Sequence, residues 1–200
     1  MFLVVGTDAD RGFVQDVDDT FERAMVGLRA GPVVSLAKAL SFAGGVWVNW
    51  PVRVLVMAVL AARRRWVRLA GFVLAVASSE LLTGALKDLY GRPRPPGSLI
   101  VASGWAFPSG HAIVGAVTVV GAVLALVDPG PRFRAWVAGA LAFAGVMALS
   151  RTYLSAHWLS DVVGGLLLGL SLAVGWPALL RGWPCLRGAD QAEDQSSYSR

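Results

Sequence analysis

The stretch LSDVVGGLLLGLSLAVGWPALL, residues 159–180, decides the fold class of this 200-residue chain. It carries a single charged residue, Asp161, near its start, and a helix needs about 20 apolar residues to cross a bilayer core. Four further apolar runs precede it along the chain: Val46–Ala62, Leu69–Leu86, Ala112–Val127 and Ala135–Leu149. The sequence therefore predicts an all-α fold, a polytopic transmembrane helical bundle with about five spans.

The composition agrees with a membrane protein. The chain is 56% hydrophobic and 16% charged, whereas soluble domains average about 25% charged residues. Its runs are dense in Gly and Ala, the small residues that let helices pack closely in lipid. The net charge of +5 is explained by membrane-anchoring arginines, so we expect no nucleic-acid partner. A single cysteine, Cys185, excludes an internal disulfide and a thiolate metal cluster.

The arginines between the runs predict the orientation. Basic residues follow the first, third and fifth runs, and these three places lie on one side of the membrane. The positive-inside rule makes that side cytoplasmic, together with the C-terminus. The opposite face, which we expect to carry an interfacial active site, then faces outward. The usage of Ala, Arg and Val favours a bacterial cytoplasmic membrane. The basic residues that follow the first, third and fifth runs are Arg63, Arg64, Arg65, Arg68, Arg132, Arg134, Arg181 and Arg187.

We divide the chain into three parts. Residues 1–32 form an N-terminal segment, in which the pattern over 17–29 predicts an amphipathic helix at the membrane interface. Residues 33–183 form the membrane-embedded domain, and the polar residues 184–200 form a disordered tail. The opening MFLVV is too short to span a bilayer, so we expect that the native start or a first span is missing.

Two charged residues lie inside the first two apolar runs. Arg53 is interpreted as a side chain that snorkels to the membrane surface. Glu80 precedes Lys87 by seven residues, or two helical turns on the same face. We expect Glu80 either to steer that ammonium group or to hydrogen-bond a neighbouring helix.

The loop after the second run is rich in proline and basic residues. It opens with Lys87, continues through Arg92 and Arg94, and closes with PSGH, residues 108–111. Ser109 occupies the position of a helix cap, and Gly110 allows close approach to the backbone N–H groups of the helix start. These donors, with the basic side chains, favour a phosphate-shaped anion.

A third polar segment joins the fourth and fifth runs. Ser150 and Arg151 end the fourth run, while His157 and Asp161 begin the fifth at i and i+4 on one helical face. A carboxylate in that position can accept the Nδ1–H of the imidazole and point Nε2 outward. Such a histidine is a competent base or nucleophile.

If the five runs are spans, these segments emerge on one face and their polar side chains can converge. The chain has only two histidines, which suggests that one attacks and the other protonates a leaving group. Two His and one Asp supply too few ligands for a dinuclear metal site, and we expect no cofactor. Each segment alone is compatible with a cap, a local helix pair or a basic loop on anionic headgroups. Their joint occurrence favours a catalytic site.

The spacing resembles the three-part signature of the type 2 phosphatidic acid phosphatase superfamily. The matching elements are Lys87 with six residues before Arg94-Pro95, then Pro108-Ser109-Gly110-His111, then Ser150-Arg151 with five residues before His157 and three more before Asp161. The superfamily includes membrane lipid phosphatases, bacterial acid phosphatases, glucose-6-phosphatase and the vanadium haloperoxidases. Its membrane members usually have six spans, one more than we count here.

The resemblance implies a role for each matching residue. His157 would form a phosphohistidine, Asp161 would orient it, and His111 would protonate the leaving oxygen and later help activate water. The remaining residues would bind the phosphoryl oxygens without a metal. These are Lys87, Arg94, Ser109, Gly110 and Arg151.

The length and membrane character favour a lipid phosphatase over the soluble branches of the superfamily. The expected partners are the bilayer and a lipid phosphate or pyrophosphate: phosphatidic acid, phosphatidylglycerol phosphate or polyprenyl pyrophosphate. A lipid phosphotransferase would use the same phosphohistidine, and the sequence does not separate the two. A non-enzymatic membrane bundle would disperse its polar residues or line a pore with them. The oligomeric state stays open.

Overall fold

The computed structural model describes residues 8–182, and within that range it contains helices and loops but no β-strand. A π-helical turn at Gly115–Val120 joins two short α-helices, Gly110–Val114 and Gly121–Leu126, so that Gly110–Leu126 forms one apolar helix. The prediction of an all-α fold is confirmed. The helices are α1 (Asp8–Gly27), α2 (Gly31–Ala43), α3 (Val46–Ala62), α4 (Trp66–Tyr90), α5 (Gly110–Val114), α6 (Gly121–Leu126), α7 (Phe133–Tyr153) and α8 (Leu159–Gly182).

The apolar runs all lie in these helices. Within residues 8–182, α4, α7 and α8 are each long and apolar enough to cross a membrane. The helices α2 and α3 meet at a bend of 50° and add a fourth crossing if they form one span. Gly110–Leu126 is apolar but shorter. Large apolar side chains such as Trp47 and Leu81 are 85% and 73% exposed, as expected for surfaces that face lipid.

Glycines of α8 bring its backbone against the start of α5. A Cβ atom on Gly165 would lie 2.6 Å from the carbonyl oxygen of Ser109, and one on Gly169 would lie 2.7 Å from the Cβ of Ala116. Both distances are shorter than atoms tolerate, so only glycine allows this approach. Gly165 and Gly169 are four residues apart, the spacing by which helices pack closely in membranes. The polar start of α8 is thereby placed beside the PSGH segment.

The N-terminal part of the structure differs in extent from the prediction. A helix over 17–29 was predicted, and α1 instead begins at Asp8 and ends at Gly27. The helix α2 was not predicted, although Pro32 in its first turn is a known start signal. MFLVV, Cys185 and the polar tail at 184–200 lie outside the described residues.

The interpretation of Arg53 was wrong. Its side chain is 1% exposed and donates from Nη1 to Oε1 of Glu80 at 2.5 Å and from Nε to Oγ1 of Thr118 at 2.9 Å. A snorkelling arginine keeps its charged group in water, whereas Arg53 links α3 to α4 and to the π-helical turn. Of the two alternatives for Glu80, the hydrogen bond to a neighbouring helix is confirmed.

Candidate active site

The start of α8 places His157 and Asp161 together. Oδ2 of Asp161 accepts the backbone N–H of Trp158 at 2.9 Å, as an acidic residue does when it reaches back to the residue that caps its helix. His157 is 3% exposed and Asp161 is fully buried. Nδ1 of His157 lies 3.6 Å from Oδ2 of Asp161, slightly beyond an ordinary hydrogen bond. The carboxylate therefore faces Nδ1, as predicted, but the two residues do not share a helical face, because His157 lies in the turn before α8, which begins at Leu159.

The contact of His157 with Arg94 defines the protonation of the ring. Nη1 of Arg94 lies 3.0 Å from Nε2 of His157, and a guanidinium can only donate. Nε2 must then carry the lone pair, and the proton of the neutral ring is on Nδ1, toward Asp161. Burial lowers the pKa of His157 from 6.5 to about 4; the nearby carboxylate of Asp161 opposes this change, whereas the charge of Arg94 adds to it. A neutral imidazole with a free lone pair at Nε2 is the reactive form of a nucleophile.

Backbone carbonyl groups hold the guanidinium of Arg94. It donates to the carbonyl oxygens of Ser103, Gly104 and Trp105 at 2.8–3.2 Å and to that of Ala156 at 2.7 Å. Burial lowers the pKa of Arg94, partly offset by Asp161, but the guanidinium stays charged. The proline-rich loop thus fixes a cation beside Nε2 of His157.

The PSGH segment contributes a buried hydroxyl. The backbone N–H of Ser109 donates to the carbonyl oxygen of Asp161 at 3.0 Å, which joins this segment to the start of α8. Ser109 occupies the N-cap position of α5, as predicted, but its side chain makes no capping hydrogen bond. Oγ of Ser109 and Nε of Arg151 are both buried and have no hydrogen-bond partner among the described residues. Buried donors of this kind are usually satisfied by a partner.

Ser41 joins His111 to Arg151, a connection that the sequence did not predict. Nε2 of His111 lies 2.9 Å from the carbonyl oxygen of Ser41, and Nη1 of Arg151 donates to Oγ of the same residue. A Cβ atom on Gly44 would lie 2.6 Å from Cδ2 of His111. The bend between α2 and α3 therefore needs glycine there in order to pass the imidazole.

Lys87 lies in the last turn of α4 and is half-buried. Its ammonium group makes no hydrogen bond to any residue of the described range. It is close enough to Arg94, Arg151 and Asp161 for their charges to act on it, and the charges of Lys87, Arg151 and His157 act on His111. The structure therefore brings together all the residues that the sequence singled out. These are Lys87, Arg94, Ser109, Gly110, His111, Arg151, His157 and Asp161.

Arg92 is a second residue whose part the sequence did not predict. Its Nη1 donates to Oδ1 of Asp161 at 2.7 Å, and its Nη2 donates to Oδ2 of Asp18 at 2.6 Å. Its position two residues before Arg94 was the only signal of its presence near the site. Between residues 8 and 182, no three His, Cys, Asp or Glu side chains come together in a group that could bind a metal ion.

Comparisons with known proteins agree with this geometry. Residues 68–183 match the family model of the PAP2 superfamily. Phosphatidylglycerophosphatase B of Bacillus subtilis (strain 168) is 29% identical over 177 residues, which are 86% of this chain and 87% of that protein. The crystal structure of the first transmembrane PAP2 type phosphatidylglycerolphosphate phosphatase from Bacillus subtilis superposes with a TM-score of 0.78 and 26% identity, covering 88% of each chain.

A second solved structure shares the fold alone. The crystal structure of Aquifex aeolicus LpxE has a TM-score of 0.65 and 19% identity, and the match covers 80% of this chain and 93% of that one. The overall helical arrangement of this chain therefore recurs in two solved structures.

Proposed function

The chain belongs to the PAP2 superfamily, and from that premise we propose that this membrane lipid phosphatase hydrolyses phosphatidylglycerol phosphate through a phosphohistidine at His157. The substrate is the one named for the relative of 29% identity and for the solved structure of 26% identity. The observation that carries the mechanism is the state of His157, whose Nε2 lone pair faces Nη1 of Arg94 at 3.0 Å.

In the first step, Nε2 of His157 attacks phosphorus, and the bond between phosphorus and the lipid oxygen breaks. The ring gains positive charge in this step, and the carboxylate of Asp161 at 3.6 Å from Nδ1 stabilises that charge. Arg94 transfers its Nη1 hydrogen bond from Nε2 to a phosphoryl oxygen. Since Arg94 is already fixed by four carbonyl groups, this transfer needs little rearrangement.

His111 acts on the leaving oxygen. It donates a proton to the lipid oxygen as the bond to phosphorus breaks, which releases the lipid alcohol, and in the second step it accepts a proton from the water that attacks the phosphohistidine. Inorganic phosphate then leaves, and His157 returns to its neutral form. The carbonyl group of Ser41 at 2.9 Å from Nε2 of His111 supports this role, because it orients the ring.

The remaining residues bind the phosphoryl oxygens. Lys87, Arg94 and Arg151 supply positive charge, and Ser109 and the N–H of Gly110 supply neutral donors. Phosphoryl transfer depends chiefly on positioning and on compensation of negative charge. Three basic side chains provide this compensation, so the proposed mechanism uses no metal ion or cofactor.

We place the site at the outer face of a bacterial cytoplasmic membrane. Arg63, Arg64 and Arg65 precede α4, and Lys87 lies in the last turn of the same helix. The arginine-rich end of the bundle is therefore opposite to the site, and the positive-inside rule assigns that end to the cytoplasm.

The test is phosphate release by the purified, detergent-solubilised protein. Phosphatidylglycerol phosphate, phosphatidic acid and a polyprenyl pyrophosphate are offered in parallel, each with and without EDTA. We expect release that survives EDTA, is fastest with phosphatidylglycerol phosphate and is absent in His157→Ala. When the reaction with ³²P-labelled substrate is quenched without acid, the wild-type protein should carry a label that is stable to base and labile to acid. His157→Ala should carry no such label.

The outcomes separate the alternatives. Release that persists in His157→Ala would remove this residue as the nucleophile. Faster release from another of the three lipids would change the substrate and leave the mechanism intact. Consumption of the lipid without free phosphate, with the label on a second lipid, would identify a phosphotransferase.

A further inference from the structure

The helix α1 buries an acidic side chain against the protein and exposes some of its apolar side chains. Asp18 is 1% exposed, whereas Phe13 is 71% exposed and Val17 is 43% exposed. A surface helix of a soluble protein has the opposite arrangement. The outward apolar side suits an interfacial helix whose surroundings are lipid. Polar contacts with the start of α8, rather than apolar burial, therefore hold this part of α1.

Asp18 makes three hydrogen bonds at the start of α8. Its Oδ1 accepts the backbone N–H of Ser160 at 2.8 Å, and its Oδ2 accepts the hydroxyl of Ser160 at 2.6 Å. Oδ2 also accepts Nη2 of Arg92 at 2.6 Å. Ser160 directly precedes Asp161, so Asp18 binds the backbone turn that carries the proposed partner of the nucleophile.

Arg92 connects this carboxylate to Asp161. Its Nη1 donates to Oδ1 of Asp161 at 2.7 Å and to Oγ of Ser160 at 2.6 Å. Its guanidinium carbon also lies 5.5 Å from the ring centroid of Trp158. The planar guanidinium, whose donors have a fixed geometry, therefore bridges a carboxylate of α1 and a carboxylate of α8.

We propose that Asp18 is a positioning residue, which acts through Arg92 to fix the carboxylate of Asp161 behind His157. The inference rests on the proposed function, since it concerns the same nucleophile. One cation between two carboxylates leaves an excess of one negative charge. Without Asp18, Arg92 and Asp161 would neutralise each other, and the ring of His157 would lose the charge that stabilises it during attack.

The test compares Asp18→Asn with Asp16→Asn on phosphatidylglycerol phosphate. Asp16 lies on the same helix, is exposed, and its side chain makes no hydrogen bond or ion pair with any residue of the described range. In Asp18→Asn we expect kcat to fall between about 10-fold and 100-fold, the loss that follows from a small misplacement of a catalytic group. KM should stay unchanged, because the phosphate-binding side chains do not contact Asp18. Asp16→Asn should match wild type in both constants.

A second variant covers the case in which Asp18→Asn does not fold, as judged by thermal unfolding. Arg92→Lys keeps the positive charge, but an ammonium group lacks the fork that reaches both carboxylates. The same loss of kcat at constant KM is expected. In the double variant kcat should be no lower than in Arg92→Lys alone, because the bridge is already broken.

Three results would overturn the inference: a wild-type kcat in folded Asp18→Asn or Arg92→Lys, a rise in KM in place of the fall in kcat, or losses that multiply in the double variant. If His157→Ala is inactive and Asp18→Asn is fully active, the inference fails and the proposed function stands. If wild type and His157→Ala release phosphate equally, the proposed function fails and the inference fails with it.

Discussion

The arginines of the cluster at the far end of the helical bundle and the arginines that we propose to bind phosphate use their guanidinium groups in different ways. At the end opposite to the site, Asp128 accepts two hydrogen bonds from Arg65 at 2.9 and 2.7 Å and one from Arg68 at 2.7 Å. At the site end, Arg94 and Arg151 have no carboxylate within 4 Å in the described part of the chain. Cations paired with a carboxylate tie loops and helices together, whereas cations held by neutral groups keep their charge for an incoming anion.

The largest effect that tests this difference is expected from Asp161→Asn. The amide can still accept the N–H of Trp158, so the start of α8 should keep its structure. The charge behind His157 is lost, and kcat should fall by about a thousandfold or more. The fall in kcat is measured as phosphate release from phosphatidylglycerol phosphate. Asp88→Asn, at an exposed position, is the matched control. A wild-type rate in Asp161→Asn would refute the role of this carboxylate.

The second prediction concerns the charge state of His157 in the free enzyme. Burial lowers its pKa to about 4, although Asp161 opposes this change. The ring should therefore stay neutral as the pH falls through 6.5, the ordinary value, and become charged only near pH 4. Since the chain has two histidines, His111→Gln leaves one imidazole, whose titration can be followed by NMR. A midpoint near 6.5 would contradict the buried, neutral nucleophile.

Much of the candidate site could be predicted because its residues lie in three short segments with fixed spacing. His157 and Asp161 are only four residues apart, so a turn followed by a helix start brings them together, and Ser109 needs only a helix start. Ser41 and Asp18 act across 110 and 142 positions of sequence. No local pattern encodes such a contact, since it depends on how α1 and α2 pack against the rest of the bundle.

The predictions about the fold that were wrong or missing have similar causes. Arg53 has the sequence context of a snorkelling side chain, and only the packing of α3 against α4 shows that Glu80 is its partner. The helix α2 is too short and too weakly bounded to stand out beside the long apolar runs, although Pro32 marks its start. Both concern interactions between helices, which the hydrophobic periodicity of a single helix does not predict.

The third prediction concerns the hydroxyl of Ser109. If Oγ donates to a phosphoryl oxygen in the transition state, Ser109→Ala should lower kcat/KM by about 100-fold, the usual loss for one such donor. The exposed Ser103→Ala in the same loop is the control. An unchanged kcat/KM in Ser109→Ala would mean that this buried hydroxyl serves packing alone, and the contrast between the two ends would rest on the basic residues only.

The smallest effect is expected at the opposite end, from Asp128→Asn. Hydrogen bonds from Arg65, followed by those from Arg68, lower the pKa of Asp128 below 3.8. The carboxylate therefore stabilises the fold above that value and loses this contribution as the pH falls through its lowered pKa. Because its side chain is 54% exposed, we expect a loss of less than about 1 kcal/mol, reduced further by salt. Thermal unfolding at neutral and acidic pH measures it.

Asp128→Asn should leave phosphate release unchanged, because no described contact links this cluster to the site. The variant therefore tests whether the arginine cluster at the far end of the bundle is independent of phosphate release at the site. A loss of activity as large as that of Ser109→Ala would mean that the arginine cluster at the far end controls the geometry of the site through α4. Pairing with a carboxylate would then no longer distinguish structural arginines from those that bind the substrate.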